Sequence, residues 1–288
     1  MHITSPLLRR TAVAALLAVT AILLSPVPAV RPAEAAEALQ TVFALPAGDA
    51  MFAVGEELVY NVSYSIFDIG SIKLQVLDTG SIGGVRVYKM KTFADSFSGL
   101  PFVDLHLVFY SEMNDEASSL FFITHNTAKT DVKPFTRYRF DYRKMSVRYD
   151  IGTDPGGKVS ASGDVAVAAP QLDGLSLFYY ARKNFRQKAK VTVPVFANEK
   201  SHTTFFNFMD QVGSTEIDAV TYPVETVEFD GTLDFIGVFG LTGYFRGFFS
   251  NDAAGIPIVA KMKVILGSVH IELTKWSRPG WTPPRYKD

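Results

Sequence analysis

The chain has 288 residues, 48% of them hydrophobic, no cysteine and a formal net charge of -1. Without cysteine there are no disulfides, thiolate metal sites, thiol nucleophiles or lipidated N-terminal cysteine. Without a basic excess to neutralise a phosphate backbone, nucleic acid is excluded as a partner.

Arg9 and Arg10 precede an uncharged apolar run from Thr11 to Leu24, the length of a signal-peptide core and short for a membrane span. Ser25-Pro26-Val27-Pro28 breaks it, and Ala33-Glu34-Ala35 offers the small residues a signal peptidase accepts. Residues 1–35 are therefore expected to be a signal peptide, with Val27-Pro28-Ala29 as the second cleavage site. Twin-arginine export and an uncleaved anchor are the competing readings. Cleavage removes Arg9, Arg10, Arg31 and Glu34, which leaves 25 basic and 28 acidic residues. No later segment is apolar enough to span a bilayer. The expectation is a periplasmic protein with no transmembrane anchor after cleavage, residues 36–50 forming a linker, 51–276 a single β-rich domain and 277–288 a loose tail.

Leu58, Tyr60, Val62 and Tyr64 fall two apart and share one face of a strand; Ile72, Leu74 and Val76 repeat the pattern after a turn placed at Asp68-Ile69-Gly70. Gly80–Gly84 reads as a turn. Val85 to Phe93 reads as a third strand with bulk on both faces, and so covered on both. Further strands are expected around Leu105–Phe109, Leu120–Lys129, Phe135–Arg143 and Ser146–Ile151. In the run from Thr136 to Arg143, aromatic and charged residues alternate, as in a sheet with one solvated face. Asp154-Pro155-Gly156-Gly157 is a turn.

One helix interrupts the pattern. Asp173 stands where a side chain caps the first turn, and Leu175, Phe178, Tyr179 and Arg182 follow at helical spacing, the helix fading near Lys188. It reads as a plug on the concave sheet face. Strands resume at Lys190–Phe196, Thr203–Met209, Thr221–Phe229, Thr242–Phe249, Ile256–Val264 and Ser268–Lys275. Pro223 and Pro257 belong at edges or strand starts.

Catalytic signatures are missing. There is no H-E-x-x-H, no G-x-S-x-G and no phosphate-binding glycine loop. His106, His125, His202 and His270 are scattered singly, so no metal ligand set and no cofactor is read. Gly237-x-x-Gly240-x-x-Gly243 has apolar flanks and reads as a bend rather than a phosphate loop. Asp150 to Asp154 reads as a solvated turn, not a calcium loop. Paired carboxylates such as Asp150 with Asp154, or Glu225 with Glu228, keep open a hydrolase of glycans or esters. The remaining signal is apolar: clusters at Phe97–Phe102, Phe205–Met209, Leu233–Leu241 and Tyr244–Phe249 read as core, or as the lining of a pocket for an acyl chain or a surface for an envelope protein. The residues expected to line such a pocket are Phe205, Phe208, Phe235, Phe239, Tyr244, Tyr179 and Arg182.

The chain also resembles a family of exported bacterial proteins that carry a domain of unknown function, number 3108. The resemblance rests on Val54-Gly55-Glu56-Glu57-Leu58-Val59-Tyr60, on Gly70, on the helix with Asp173, Ser176, Tyr179 and Arg182, and on Phe249-Ser250-Asn251-Asp252 followed by Pro257. The family usually shows Trp-x-Ser-Asp-Asp-like residues at the last site, from which Phe249 and Asn251 depart. It implies a periplasmic, mostly antiparallel β-fold and supplies no catalytic residue.

The sequence thus predicts an all-β, mainly antiparallel protein: one strongly curled sheet forming a partial or spiral barrel with one main α-helix packed on it. The expected function is non-enzymatic binding of a lipid-like ligand or an envelope protein partner. A carboxylate hydrolase and a purely structural envelope scaffold are the alternatives.

Overall fold

A computed structural model describes residues 51–100, 104–128, 131–237, 242–263 and 267–287. The predicted signal peptide and linker, Phe239 and Phe102 lie outside these residues. Fourteen strands form one antiparallel sheet: β1 (Glu57–Tyr64), β2 (Phe67–Ile82), β3 (Val85–Ser96), β4 (His106–Asn114), β5 (Ser119–Asn126), β6 (Lys133–Asp141), β7 (Ser146–Asp154), β8 (Lys158–Ala166), β9 (Lys190–Ala197), β10 (Lys200–Thr215), β11 (Val224–Leu233), β12 (Gly243–Ser250), β13 (Pro257–Lys263) and β14 (Ser268–Ser277). The helix α1 (Ser176–Asn184) lies between β8 and β9.

The spatial order runs β8 to β1 and then β14 to β9, so β1 pairs with both its hairpin partner and the last strand. Leu58, Tyr60 and Val62 point inward and are 1–3% exposed, as the period-two spacing requires. The first turn falls earlier than expected. Tyr64 pairs with Phe67 across Ser65-Ile66, and Ser65 takes a φ of 56°. Gly70 lies instead within β2, where a Cβ would come within 2.4 Å of the Asp95 carbonyl oxygen; the glycine is needed for close approach, not for turning. In β3 both faces are covered only at Val87 and Tyr88; beyond them the strand alternates. Strand β8 was not anticipated. The Asp150–Asp154 segment is not a turn but the end of β7.

Register shifts at Val76/Asp78 and Phe208/Val212 mark bulges, which bend the strands and let the sheet curl. The curl brings the two ends of the sheet together without closing it. Tyr138 of β6 meets Phe196 of β9 edge-on at 4.9 Å. The segment before the helix spans this seam: Ser119 N–H donates to the Gln171 carbonyl at 2.9 Å, Leu172 N–H donates to the Pro194 carbonyl at 2.9 Å, and Phe196 N–H donates to the Leu172 carbonyl at 2.7 Å.

The tail expected to be loose is docked. Trp281 Nε1 donates to Asp252 at 2.7 Å and its ring meets Trp276 edge-on. Glu225 N–H donates to the Pro284 carbonyl and Tyr286 N–H to that of Pro223. One bond runs from β11 to the tail and one from the tail back to the residue before β11, and the two hold the tail in place despite its prolines.

Candidate functional site

Two regions of the concave face differ in character. At one end α1 closes the interior. The helix is buried on nearly all sides, not on one stripe: Ser176, Tyr179, Tyr180, Ala181, Arg182 and Asn184 are all buried. Asp173 organises its start. One carboxylate oxygen accepts from the Leu175 and Ser176 N–H groups at 2.7 and 2.8 Å, and the other from Ser111 and Ser119 hydroxyls at 2.6 and 2.7 Å. Burial pushes the Asp173 carboxyl above its ordinary range, opposed by these hydrogen bonds.

About two and a half turns on, Arg182 meets Glu56 through two hydrogen bonds, Nη1 to Oε1 at 2.5 Å and Nη2 to Oε2 at 2.9 Å. Its remaining donors reach the Ala254 carbonyl at 3.0 Å and the Met51 carbonyl at 2.8 Å, and Arg278 also donates to Glu56. Phe52 stands over the guanidinium and edge-on to Tyr179 and Tyr88. Tyr60 donates its hydroxyl to the Pro257 carbonyl, and burial holds that phenol well above its usual range. Every part of this centre is occupied by another part of the chain, so its chemistry is structural: it ties the start of β1, the helix and the loop before β13 together.

Toward the other end the concave wall opens. On β4, Met113 and Ser111 are 0% exposed and Phe109 8%, while Leu107 is only half-buried. On β5, Phe122 is buried and Thr124 and Asn126 half-buried; on β7, Val147 is buried and Tyr149 and Ile151 half-buried. The buried hydroxyl oxygens of Thr92 and Thr124, which flank Phe109 in one cross-strand row, have no hydrogen-bond partner among the described residues, and neither has that of Thr204 on β10.

The sequence-predicted pocket residues do not gather at one place. Phe208 stacks with Phe206 and Phe229 in an inner aromatic cluster that Phe245 and Phe249 complete. Phe205, an odd number of positions from Phe208, falls on the convex face by strand alternation, in one row with Thr232 and Tyr244. The Tyr244 hydroxyl reaches Asp230 there at 3.3 Å. Phe235 is buried at the open end against the His202 ring. Tyr179 and Arg182 belong to the closed end. Phe239 is outside the described residues.

The carboxylates that kept hydrolysis open have separate partners. Asp150 is buried on the convex side between Arg137 and Arg139, at 2.8 and 2.6 Å. Burial pushes its carboxyl up, but the hydrogen bonds and charge of the two guanidiniums outweigh this and hold it below the ordinary range. Asp154 meets His125, Glu225 accepts from Asn251, and Glu228 pairs with Arg246. Among the described residues no group of three His, Cys, Asp or Glu has metal-binding geometry.

The four histidines expected to be scattered share one end of the sheet. His106 and His202 lie at or near the start of even strands, as does His270, and His125 lies near the end of an odd one. Each faces a carboxylate: Asp95 at 2.8 Å, Asp234 at 3.7 Å, Glu272 at 3.2 Å and Asp154 at 3.0 Å respectively.

A single antiparallel sheet, curled but not closed, with a helix in its concavity defines a β-barrel-like class of protein. The chain belongs to the family of proteins of unknown function DUF3108, whose pattern matches residues 59–274. Among solved structures it is similar to a β-barrel-like protein of the domain of unknown function DUF1849 from Brucella abortus, at 11% identity and a TM-score of 0.50 over 78% of this chain and 98% of that one. A protein from Bacteroides fragilis with a YmcC-like fold aligns at 7% identity and a TM-score of 0.32, over 79% of this chain and 97% of the other. No curated protein matches the sequence.

Proposed function

We propose that this protein is a non-enzymatic binding protein of the bacterial envelope, exported to the periplasm, whose concave wall takes a lipid-like ligand. The observation that carries the reading is the open half of that wall, where the inward apolar side chains of Leu107, Ile151 and Ile72 stand only half-buried. A ligand with an apolar chain covers the three at once. The buried carboxylates, each held by its own cation or by hydroxyl and amide donors, support binding over hydrolysis.

Titration of the full chain with cis-parinaric acid, a fluorescent fatty acid, tests this. Fluorescence rises saturably with the unaltered protein. The rise falls at least tenfold in affinity in Leu107→Trp, which fills the open wall, and is unchanged in Phe205→Ser on the convex face. No saturable rise, or equal loss in both variants, overturns the proposal.

A further inference from the structure

Strand direction alternates throughout the sheet, so the ends of the odd strands and the starts of the even ones that follow them lie at the same rim. This is the open end, away from α1. Among the described residues thirteen large apolar side chains stand exposed, and eight of them lie on this rim or within two residues of its turns. The most exposed are Ile66 at 86%, Phe67 at 64%, Ile236 at 58% and Val132 at 50%, with Phe97 at 42%. They come from four separate turns: Ile66 and Phe67 at β1–β2, Phe97 at β3–β4, Val132 at β5–β6, and Ile236 at β11–β12. At the opposite end connections such as Asp115-Glu116 and Asn251-Asp252 are polar, and the exposed apolar residues Val54, Ile82 and Val85 lie at two places only, the entry to β1 and the β2–β3 hairpin.

Single apolar residues scatter over any protein surface and need no explanation. Eight on one rim, on the tips or shoulders of five hairpins, do. A protein partner is held by a contiguous apolar centre ringed by polar residues. Here the apolar tips are spread around the rim with polar groups between and behind them, including the four histidine–carboxylate pairs. That pattern fits a fluid surface into which separate tips dip, with aromatic side chains such as Tyr64 and Tyr244 one step behind, at headgroup depth. Within two positions of these turns carboxylates outnumber lysines, so the surface that complements the rim has neutral headgroups rather than anionic ones.

We infer that the rim bearing Ile66, Phe67, Phe97, Val132 and Ile236 docks on a lipid bilayer with zwitterionic headgroups. The inference is independent of the ligand reading, because the rim residues face outward and the ligand wall faces inward. Burial of one such side chain contributes about 1.5–3 kcal/mol when complete, so partial insertion of several gives reversible attachment.

The chain lacks cysteine, so one introduced thiol labels one site. Ile66→Cys, Phe97→Cys and Ile236→Cys on the rim, and Ile82→Cys at the far end, each carry a nitrobenzoxadiazole dye on the full chain. Phosphatidylcholine vesicles are expected to blue-shift and brighten the three rim dyes at least twofold, with quenching by brominated acyl chains, and to leave the Ile82 site unchanged. Thirty per cent phosphatidylglycerol is expected to weaken the rim response. Comparing sites within one chain separates the rim from attachment through residues 1–35. Silence at the rim, an equal response at Ile82, or a response only to the anionic vesicles overturns the inference. Because all four positions are exposed, loss of folding does not confound them, and near-ultraviolet circular dichroism checks it. Parinaric acid binding without a rim response leaves the ligand reading standing and removes this one.

Discussion

Arg182 and Glu56 lie 126 residues apart in the chain and face each other fork to fork, at 0% and 2% side-chain exposure. Each is held a second time, Arg182 by the Ala254 and Met51 carbonyls and Glu56 by Arg278. Two cations share one carboxylate, and the losses on mutation are therefore unequal. Arg182→Met leaves Glu56 with Arg278 and costs about 3–5 kcal/mol. Glu56→Gln leaves two guanidiniums facing one another and costs more. The double variant loses less than the sum of the two by about 1–3 kcal/mol. Urea unfolding monitored by fluorescence measures all three; equal single losses that simply add would show the contact is incidental.

At the helix start, a missing cap alone costs about 1 kcal/mol. The structure raises the expectation for Asp173→Ala, because it also strips the hydrogen bond from the buried Ser111 hydroxyl, worth about 1–3 kcal/mol, while Ser119 keeps Ser176 Oγ at 2.8 Å. The loss expected is about 2–4 kcal/mol. Asp173→Asn keeps an acceptor for the amides and loses less.

The same carboxyl has a pH signature. Its pKa in the folded state lies above the unfolded value, so the native protein holds the proton more tightly. Between those two values the folded state binds more protons, and stability falls as pH rises through the window that starts at the ordinary carboxylate range. Asp173→Asn removes this slope. Unfolding free energies from pH 4 upward, compared between the two proteins, test it; parallel curves would place the proton elsewhere.

The β-architecture is legible in the sequence because burial of one face writes itself as alternation, and most strands do so. Strand β8 does not, because Lys158–Ala166 lies at the sheet edge with nearly every side chain exposed and so has no apolar face to display. The first turn is misplaced because Gly70 serves close packing, and a glycine read without its neighbours looks like a turn residue. Arg182 leaves a trace, a cation among apolar positions at helical spacing, but Glu56 carries none, since its partner is fixed only by the curl of the sheet. The histidine rim is recoverable from sequence in principle. Each histidine lies beside a turn from an odd to an even strand, and strand parity alone puts those turns together.

Gly231 and Gly80 provide a matched pair. At Gly231 a Cβ would stand 2.2 Å from the Phe205 carbonyl oxygen and 2.4 Å from the Phe245 ring, while at Gly80 it meets nothing within 4 Å. The backbone oxygen cannot step aside as a side chain does. Gly231→Ala is expected to cost about 1–3 kcal/mol, the range for overpacking, and to disturb the aromatic signals of the Phe206–Phe245 cluster. Gly80→Ala is expected to be neutral or slightly stabilising. Thermal unfolding of both decides; a neutral Gly231→Ala would mean that β10 and β11 sit further apart than described.

The docked tail gives the last test. Trp281 joins the chain end to the loop before β13 through its hydrogen bond to Asp252, and Asp252 also accepts from the Ser250 hydroxyl and the Ala254 and Gly255 N–H groups. Asp252 therefore fixes the loop whose Ala254 carbonyl receives Arg182. Trp281→Ala removes one charge-assisted hydrogen bond and one edge-on aromatic contact, about 1.5–3 and 0.5–1.5 kcal/mol. Because the loop keeps its other three bonds to Asp252, the helix centre should survive. Asp252→Ala removes all four together and should release Ala254 from Arg182 as well. Hydrogen exchange at the α1 amides distinguishes the two: unchanged protection in Trp281→Ala and faster exchange in Asp252→Ala are expected. Equal protection in both would mean the loop is held by Ile256, which is fully buried, rather than by the carboxylate.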